Sequence, residues 1–490
     1  MSAYSGFLTA VLVAAVVSFC IAALKRSGRS VKSLHGFFHS SNAGLNLIAL
    51  VCATITVGTG VAYLTTSGHV NGILMALVPV GVIGGYYLLE AFISKILPPA
   101  ILRYPNFLAG THALIEETRG SRTILAWSMI APLVTVYVLV FGFEIFASSQ
   151  VIAGVVFGDN EIVHQISVAG LLFAATLIIS WRGGVEAVFR ADRLQFVGIV
   201  LFIAIMAAMA MYSIQSPVKQ GLKINPNWLK TDLQTLTNIS LAIISSVSTQ
   251  FYNLMNWFAV SNLRQDAQRK HVLRATSWLF SGFVLIMVAI GAFTEVNWGA
   301  GLGPAFSQLL SPLHEHAWLA GALLAIMVIG LTSTLMSTTQ GLMLSLTMFV
   351  HDNLLGKDSA SDRTDAVAVH RARNLMIGLF GLGFIFLALM YYGKPDLFYL
   401  LLAIASGAEV YAPLVILIGF LARRENGLTV LSNPVLTIYL VLFASAMASN
   451  LTLSATAPKF VPYVSLAHLS LSSLISLILY VIPTRRAKKP

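Results

Sequence analysis

Apolar runs of roughly 20 residues, the length a helix needs to cross the hydrocarbon core of a bilayer, recur along the whole chain, and charged residues fall mainly between them. This pattern predicts helices over Tyr4 to Leu24, Leu45 to Thr66, Gly72 to Leu97, Ile124 to Phe146, Val163 to Trp181, Phe196 to Ile214 and Ile239 to Val260. Six more are expected over Thr276 to Phe293, Trp318 to Val350, Leu375 to Tyr392, Phe398 to Leu421, Leu431 to Ala448 and Val461 to Ile482. The first is segment 0 and the rest are segments 1 to 12. About thirteen such spans use about 260 residues, which leaves short loops and no appended soluble domain. The expected class is an all-α polytopic membrane protein with one transmembrane domain.

Composition agrees: 57% of the 490 residues are hydrophobic and 10% are charged, against about a quarter charged in soluble domains. The net charge of +11 invites a nucleic-acid reading until the 30 Lys and Arg are placed. With Met1 outside, all of them fall on the inner side except Lys219, Lys223, Lys230, Lys394 and Lys459. That asymmetry is the positive-inside rule. It sets the amino terminus outside and the carboxyl terminus in the cytoplasm, fits a cell membrane, and removes the case for nucleic acid. Segment 0 has no basic residue ahead of its apolar run, so it is expected to stay as an anchor rather than be cleaved. Cys20 and Cys52, both in apolar stretches, build neither a disulfide framework nor a cysteine metal centre.

Without a nucleotide-binding motif, an ion-coupled carrier, a channel and a membrane enzyme remain. No paired carboxylates or His cluster at catalytic spacing favours the enzyme. Ionisable residues at membrane depth cost several kcal/mol on some scales and mark function or a partner. Four occur: Glu90, Glu144, Glu409 and His468. Glu144 falls near the outer end of segment 3, where an interfacial, solvated position is expected. Glu90 has Lys95 within about one helical turn as an expected structural partner. His468 reads as a helix-packing residue. Glu409 follows Ser406 and Gly407 and precedes Pro413, a pattern for a broken helix, and is a candidate for a solute or coupling role.

Segment 8 carries the densest hydroxyl cluster, Thr332, Ser333, Thr334, Ser337, Thr338 and Thr339. Thr334, Ser337 and Thr338 share one helical face. They suit either a desolvated monovalent cation or polar helix packing. Segment 1 interrupts its apolar run with Thr54, Thr56, Gly58, Thr59 and Gly60, consistent with an unwound helix or with close helix contacts.

The stretch SWRGGVEAVFRADRLQ, Ser180 to Gln195, resembles a loop of the sodium:solute symporter family, keeping Gly183, Gly184, Ala187, Val188, Asp192 and Gln195, with Ala191 where the family usually has Thr. MSTTQGLMLSLTMFVHDNL, Met336 to Leu354, is similar to the family's hydroxyl pair and following helix, one residue shorter than the common form. APLVILIGFLARRENG, Ala412 to Gly427, and HGFFHSSNAG, His35 to Gly44, add to the likeness in order along the chain. The resemblance implies the LeuT-type fold. Residues 45–214 and 239–421 would then be inverted five-helix repeats, with segment 0 at 4–24 and two extra carboxyl-terminal helices at 431–482. It implies a co-transported sodium ion held by the carbonyls of Ala53 and Thr56 and the hydroxyls of Thr334, Ser337 and Thr338, with Asp192 on the ion's exit path. It points to Gly60, Asn253, Asn256, Trp257 and Glu409 for the solute, although segment 6, STQFYNLMNWFAV, lacks the family's QR pair. Asn253 and Asn256 suit interhelical hydrogen bonds equally. The expected function is a sodium-coupled symporter importing a small polar organic solute across a lipid bilayer. A proton-coupled carrier using Glu409 and a solute-sensing receptor are the alternatives.

Overall fold

The structure, a computed structural model, describes residues 2–25, 33–38, 43–97, 123–159, 161–215, 228–263, 265–294, 317–354, 366–393, 397–424 and 427–481. The basic positions within 26–32, 98–122, 216–227, 355–365 and 482–490, together with Arg264 and Lys394, lie outside the described residues, as does part of HGFFHSSNAG.

The amino-terminal part runs through α1 (Ser2–Leu24), α2 (Leu34–Phe38), α3 (Ala43–Thr54), a π-helical turn at Val57–Ala62, α4 (Tyr63–Asn71) and α5 (Val78–Ala91). Two long elements follow, α6 (Thr123–Phe157) and α7 (Ile162–Gln215). The second part contains α8 (Leu233–Tyr252), α9 (Leu254–Asn262), α10 (Asp266–Phe293), α11 (Ala317–Leu354), α12 (Ala366–Gly393), α13 (Leu397–Glu409) and α14 (Tyr411–Leu421). The last two are α15 (Asn433–Thr456) and α16 (Val461–Val481). Among the described residues no strand forms, and the one isolated bridge joins Gly72 to Leu229.

Ten described helices are long and apolar enough to cross a membrane, and the bent pair Asn46–Thr54 and Val57–Asn71 makes an eleventh. The protein is an integral membrane protein. The expected number of about thirteen is not reached on this measure, for two reasons. Segments 4 and 5 run on as α7, interrupted at Gly184, where φ is 56°. Segment 6 is split into α8 and α9, and α8 is diluted by Thr, Asn, Ser and Gln.

The core forms around α11, which packs on α7, α6, α1 and α3. Its hydroxyl residues Thr332 to Thr334 and Ser337 to Thr339 are buried at its middle. On the outside, Val13, Val17 and Ile21 of α1 and Leu474, Leu477 and Ile478 of α16 are exposed apolar rows suited to lipid. Close crossings use small residues, as is usual where apolar helices meet in a bilayer. A Cβ on Gly291 of α10 would lie 1.9 Å from Thr65 O of α4, so these backbones touch only because that position is glycine.

Glu90 is held differently from expectation. Arg274 of α10, rather than Lys95, takes it in a forked pair, Nε to Oε2 at 2.6 Å and Nη2 to Oε1 at 3.0 Å. The planar guanidinium matches both carboxylate oxygens, which a lysine one turn away on the same helix does not. His468 joins α16 to α15 through Ser445 Oγ at 3.1 Å, while its Nδ1 meets Val464 O of its own helix at 2.9 Å.

Candidate functional site: two broken helices around a buried cavity

Segment 1 breaks between α3 and the π-turn, with a bend of 47°. A helix in hydrocarbon keeps its backbone groups paired, so a break must supply substitutes. Here Glu144 of α6 supplies them: its Oε2 accepts from Gly58 N at 2.7 Å and its Oε1 from Thr59 N at 2.8 Å. In an intact helix those two N–H groups would bond Thr54 O and Ile55 O. Diverting them leaves both carbonyls without helical donors, and Thr338 Oγ1 of α11 donates to Ile55 O at 3.1 Å. Glu144 is therefore not interfacial but fully buried, 0% exposed. The expected end of segment 3 at Phe146 came eleven residues early relative to α6, which runs on to Phe157.

Beside this break, Ser337 Oγ donates to Asp192 Oδ1 at 2.6 Å. Cys52 of α3 approaches Asp192 O at 3.9 Å. Asp192, Ser337 and Thr338 are each 1% exposed. Asp192 thus lies in the core where α3, α7 and α11 converge. Gln195, one turn further along α7, is also buried, and its amide has no partner among the described residues. Carboxylate, hydroxyl and backbone carbonyl oxygens are the donor set that hard monovalent cations take in place of water. Of the other residues implied for sodium, Ala53 and Thr56 line the adjoining cavity. The Thr56 hydroxyl bonds that of Thr59. Thr334 shares the face but donates its hydroxyl hydrogen to Gly330 O of its own helix at 2.8 Å.

Segment 6 breaks at Asn253, between α8 and α9. Leu254 N donates to the Tyr137 hydroxyl, which donates in turn to Asn253 Oδ1 at 3.1 Å, while Met255 N donates to the same Oδ1 at 3.0 Å. The two carbonyls this displaces, Gln250 O and Phe251 O, are taken by Asn256 Nδ2 at 3.2 Å and Trp257 Nε1 at 2.8 Å. Leu254 N, Met255 N, Gln250 O and Phe251 O thus each find a side chain, from Tyr137 of α6, from Asn253 itself, or from Asn256 and Trp257 of α9. Asn256 and Trp257, expected at the solute, are spent on closing the break and do not line the cavity, whereas Asn253 does.

Between the two breaks lies a cavity of about 250 Å³ lined by Thr54, Thr56, Thr59, Tyr63, Tyr137, Ser245, Thr249, Tyr252, Asn253, Phe280 and Thr338, among others. Among the described residues, no Lys, Arg or His lines it. Gly60 is close by but outside the lining, and a Cβ there would lie 2.9 Å from the Phe283 ring. Glu409 ends α13 behind the wall: it is buried, Ser245 Oγ donates to its Oε1, and its Oε2 has no partner among the described residues. Helix continuity fails just after it, at Val410, whose carbonyl accepts from Ser472 Oγ of α16 at 2.7 Å. Tyr137 and the true depth of Glu144 escape sequence reasoning; the Asn253 break carried a signal in the polar residues of STQFYN.

No protein-family model matches the chain, and no curated protein matches it. Solved structures do share its architecture. A sodium-coupled sialic acid symporter in a substrate-bound, outward-open state aligns with a TM-score of 0.62 at 13% identity, over 96% of this chain and 98% of that one. MhsT in complex with L-phenylalanine aligns at 0.54 and 14% identity over 90% and 99% of the two chains. Mhp1, a nucleobase-cation-symport-1 family transporter, closed around bromovinylhydantoin, aligns at 0.54 and 14% identity over 92% and 95%. At such identities the likeness concerns the fold, and the chain has the LeuT-type fold.

Proposed function

We propose that this protein is a secondary active transporter that couples the inward movement of sodium to import of a small polar organic solute by alternating access. The observation that carries the reading is the convergence at the segment 1 break. There the freed Ile55 carbonyl meets Thr338, and Ser337 bonds the buried Asp192 from a third helix. Sodium bound at these oxygens would hold α3 to α11 and α7, so its release toward the cytoplasm would loosen the inner side of the site. The sodium-coupled symporter of the same fold supports this assignment. Residues 45–214 and 239–421 are taken as the two inverted repeats, with 4–24 and 431–482 as additions, in a cell membrane with the amino terminus outside. Thr54, Thr56, Thr59, Ser245, Thr249, Tyr252 and Asn253 would face the solute.

The test is uptake by proteoliposomes of labelled amines, amino acids, sugars and carboxylates, driven by an inward gradient of sodium or of choline. Accumulation in sodium alone is expected, and it should fall to background in Ser337→Ala. Equal accumulation in choline that follows an imposed proton gradient would transfer the coupling role to Glu409 and overturn sodium symport. Binding without any flux would favour a receptor.

A further inference from the structure

Half-helices that begin inside a membrane present unpaired N–H groups and the positive end of the helix dipole, and such ends commonly meet the anionic group of a solute. The half-helix Val57–Asn71 is one of these. In this chain its anion is internal. Glu144 accepts from both Gly58 N and Thr59 N, at 2.7 and 2.8 Å, and is itself fully buried. The position a solute carboxylate would occupy is filled by a side chain of α6, and Asn253 and Tyr137 consume the N–H groups of the other break in the same way.

A second, independent observation points to the sign of the missing charge. Glu409 is 2% exposed, and its Oε2 has no partner among the described residues. Ser245, which donates to Oε1, lines the cavity, as does Ala405, one turn earlier on the same face of α13. Tyr63 and Tyr252, also in the lining, lie within electrostatic reach of Glu409. An anionic solute would enter a low-dielectric site flanked by two carboxylates, with no cationic side chain among the described lining residues, where like charges repel strongly. A cation would find Glu409 as counter-ion and the faces of Tyr63, Tyr252 and Phe280 as further partners.

We infer that the solute is a small organic cation bearing an amine and no carboxylate, with Glu409 as its counter-ion and Glu144 as the internal anion that closes the cavity to acids. This deepens the carrier reading and rests on it. The experiment is thermal unfolding of the detergent-purified full chain in sodium with matched trios: ethanolamine, ethylene glycol and glycolate; benzylamine, benzyl alcohol and benzoate. In at least one trio the amine raises Tm, its alcohol less so and its carboxylate not at all, and Glu409→Gln, still unfolding cooperatively, loses the amine shift. Where Glu409→Gln fails to fold, Glu409→Asp is read instead, with a weakened shift expected. A carboxylate or alcohol as the stronger ligand, no response to any amine, or an amine shift that survives the substitution overturns the inference. An amine shift of equal size in sodium and potassium would uphold the solute class while removing sodium coupling, so the two failures are distinct.

Discussion

The two helix breaks solve one problem in opposite ways. At Asn253 the chain repairs itself locally: Asn253, Asn256 and Trp257 lie within a few residues of the groups they satisfy, and Tyr137 is the one outside contributor among the described residues. At Ile55 the repair is remote and one-sided. Glu144, 86 residues beyond Gly58, removes the donors of Thr54 O and Ile55 O without replacing them, and Thr338 returns one. The sealed break leaves little for a ligand to satisfy, whereas the break whose carbonyls are left to a hydroxyl face is the one proposed to hold sodium. The difference teaches that a discontinuous helix in a membrane is functional according to which side of its hydrogen-bond ledger is left open.

Removing the remote repair should have the largest effect. Glu144→Ala strands two buried N–H groups at about 1–3 kcal/mol each, so a loss of about 2–6 kcal/mol in unfolding free energy is expected, with Glu144→Gln losing about half. Stability equal to the parent in a denaturation series would remove Glu144 from its role. The sealed break should respond less. Tyr137→Phe leaves Leu254 N and Asn253 Oδ1 short of a partner, and Trp257→Phe leaves Phe251 O bare, each expected at about 1–3 kcal/mol. Because Trp257 does not line the cavity, its substitution should lower Tm without changing any Tm rise produced by sodium. A selective loss of that rise would show the two breaks are not separable.

The smallest effect is expected far from both. His164, in the first turn of α7, meets the carboxylate of Asp159, in the turn after α6, at 2.9 Å. The imidazole and the Glu161 N–H hold the Asp159 carboxyl below the usual carboxylate range. A lowered pKa adds stability above the ordinary carboxylate pKa and loses it as pH falls through that range. The pair is half-exposed and screened, so His164→Ala should leave Tm within a degree or so near neutrality, measured as a pH series.

These contrasts also mark how far the sequence is legible. Helices and their order follow from apolar length, because the bilayer penalises charge wherever it is not paired. The segment 1 interruption shows in Gly58 and Gly60, and the hydroxyl face of α11 in its spacing. What escapes is pairing across the fold. Lys95 looked like the partner of Glu90 because it is near in sequence, but Arg274, 184 residues on, offers the better geometry. An expected end of segment 3 at Phe146 puts Glu144 near the surface, but α6 runs on through the buried Ser148 and Ser149 to Phe157. The family resemblance points to Asn256 and Trp257 for the solute; here they complete a backbone.

The open break is best interrogated by titrating sodium against thermal unfolding of the purified protein, ionic strength held with potassium, in the parent chain and in the double substitution Ser337→Ala with Thr338→Val. A ligand of the folded state stabilises by mass action, about 2.7 kcal/mol at 100 times its Kd. A Tm that climbs with sodium but not with potassium, and stays flat in the double variant, is the predicted result. A sodium response of undiminished size in that variant, or none in the parent, would contradict it.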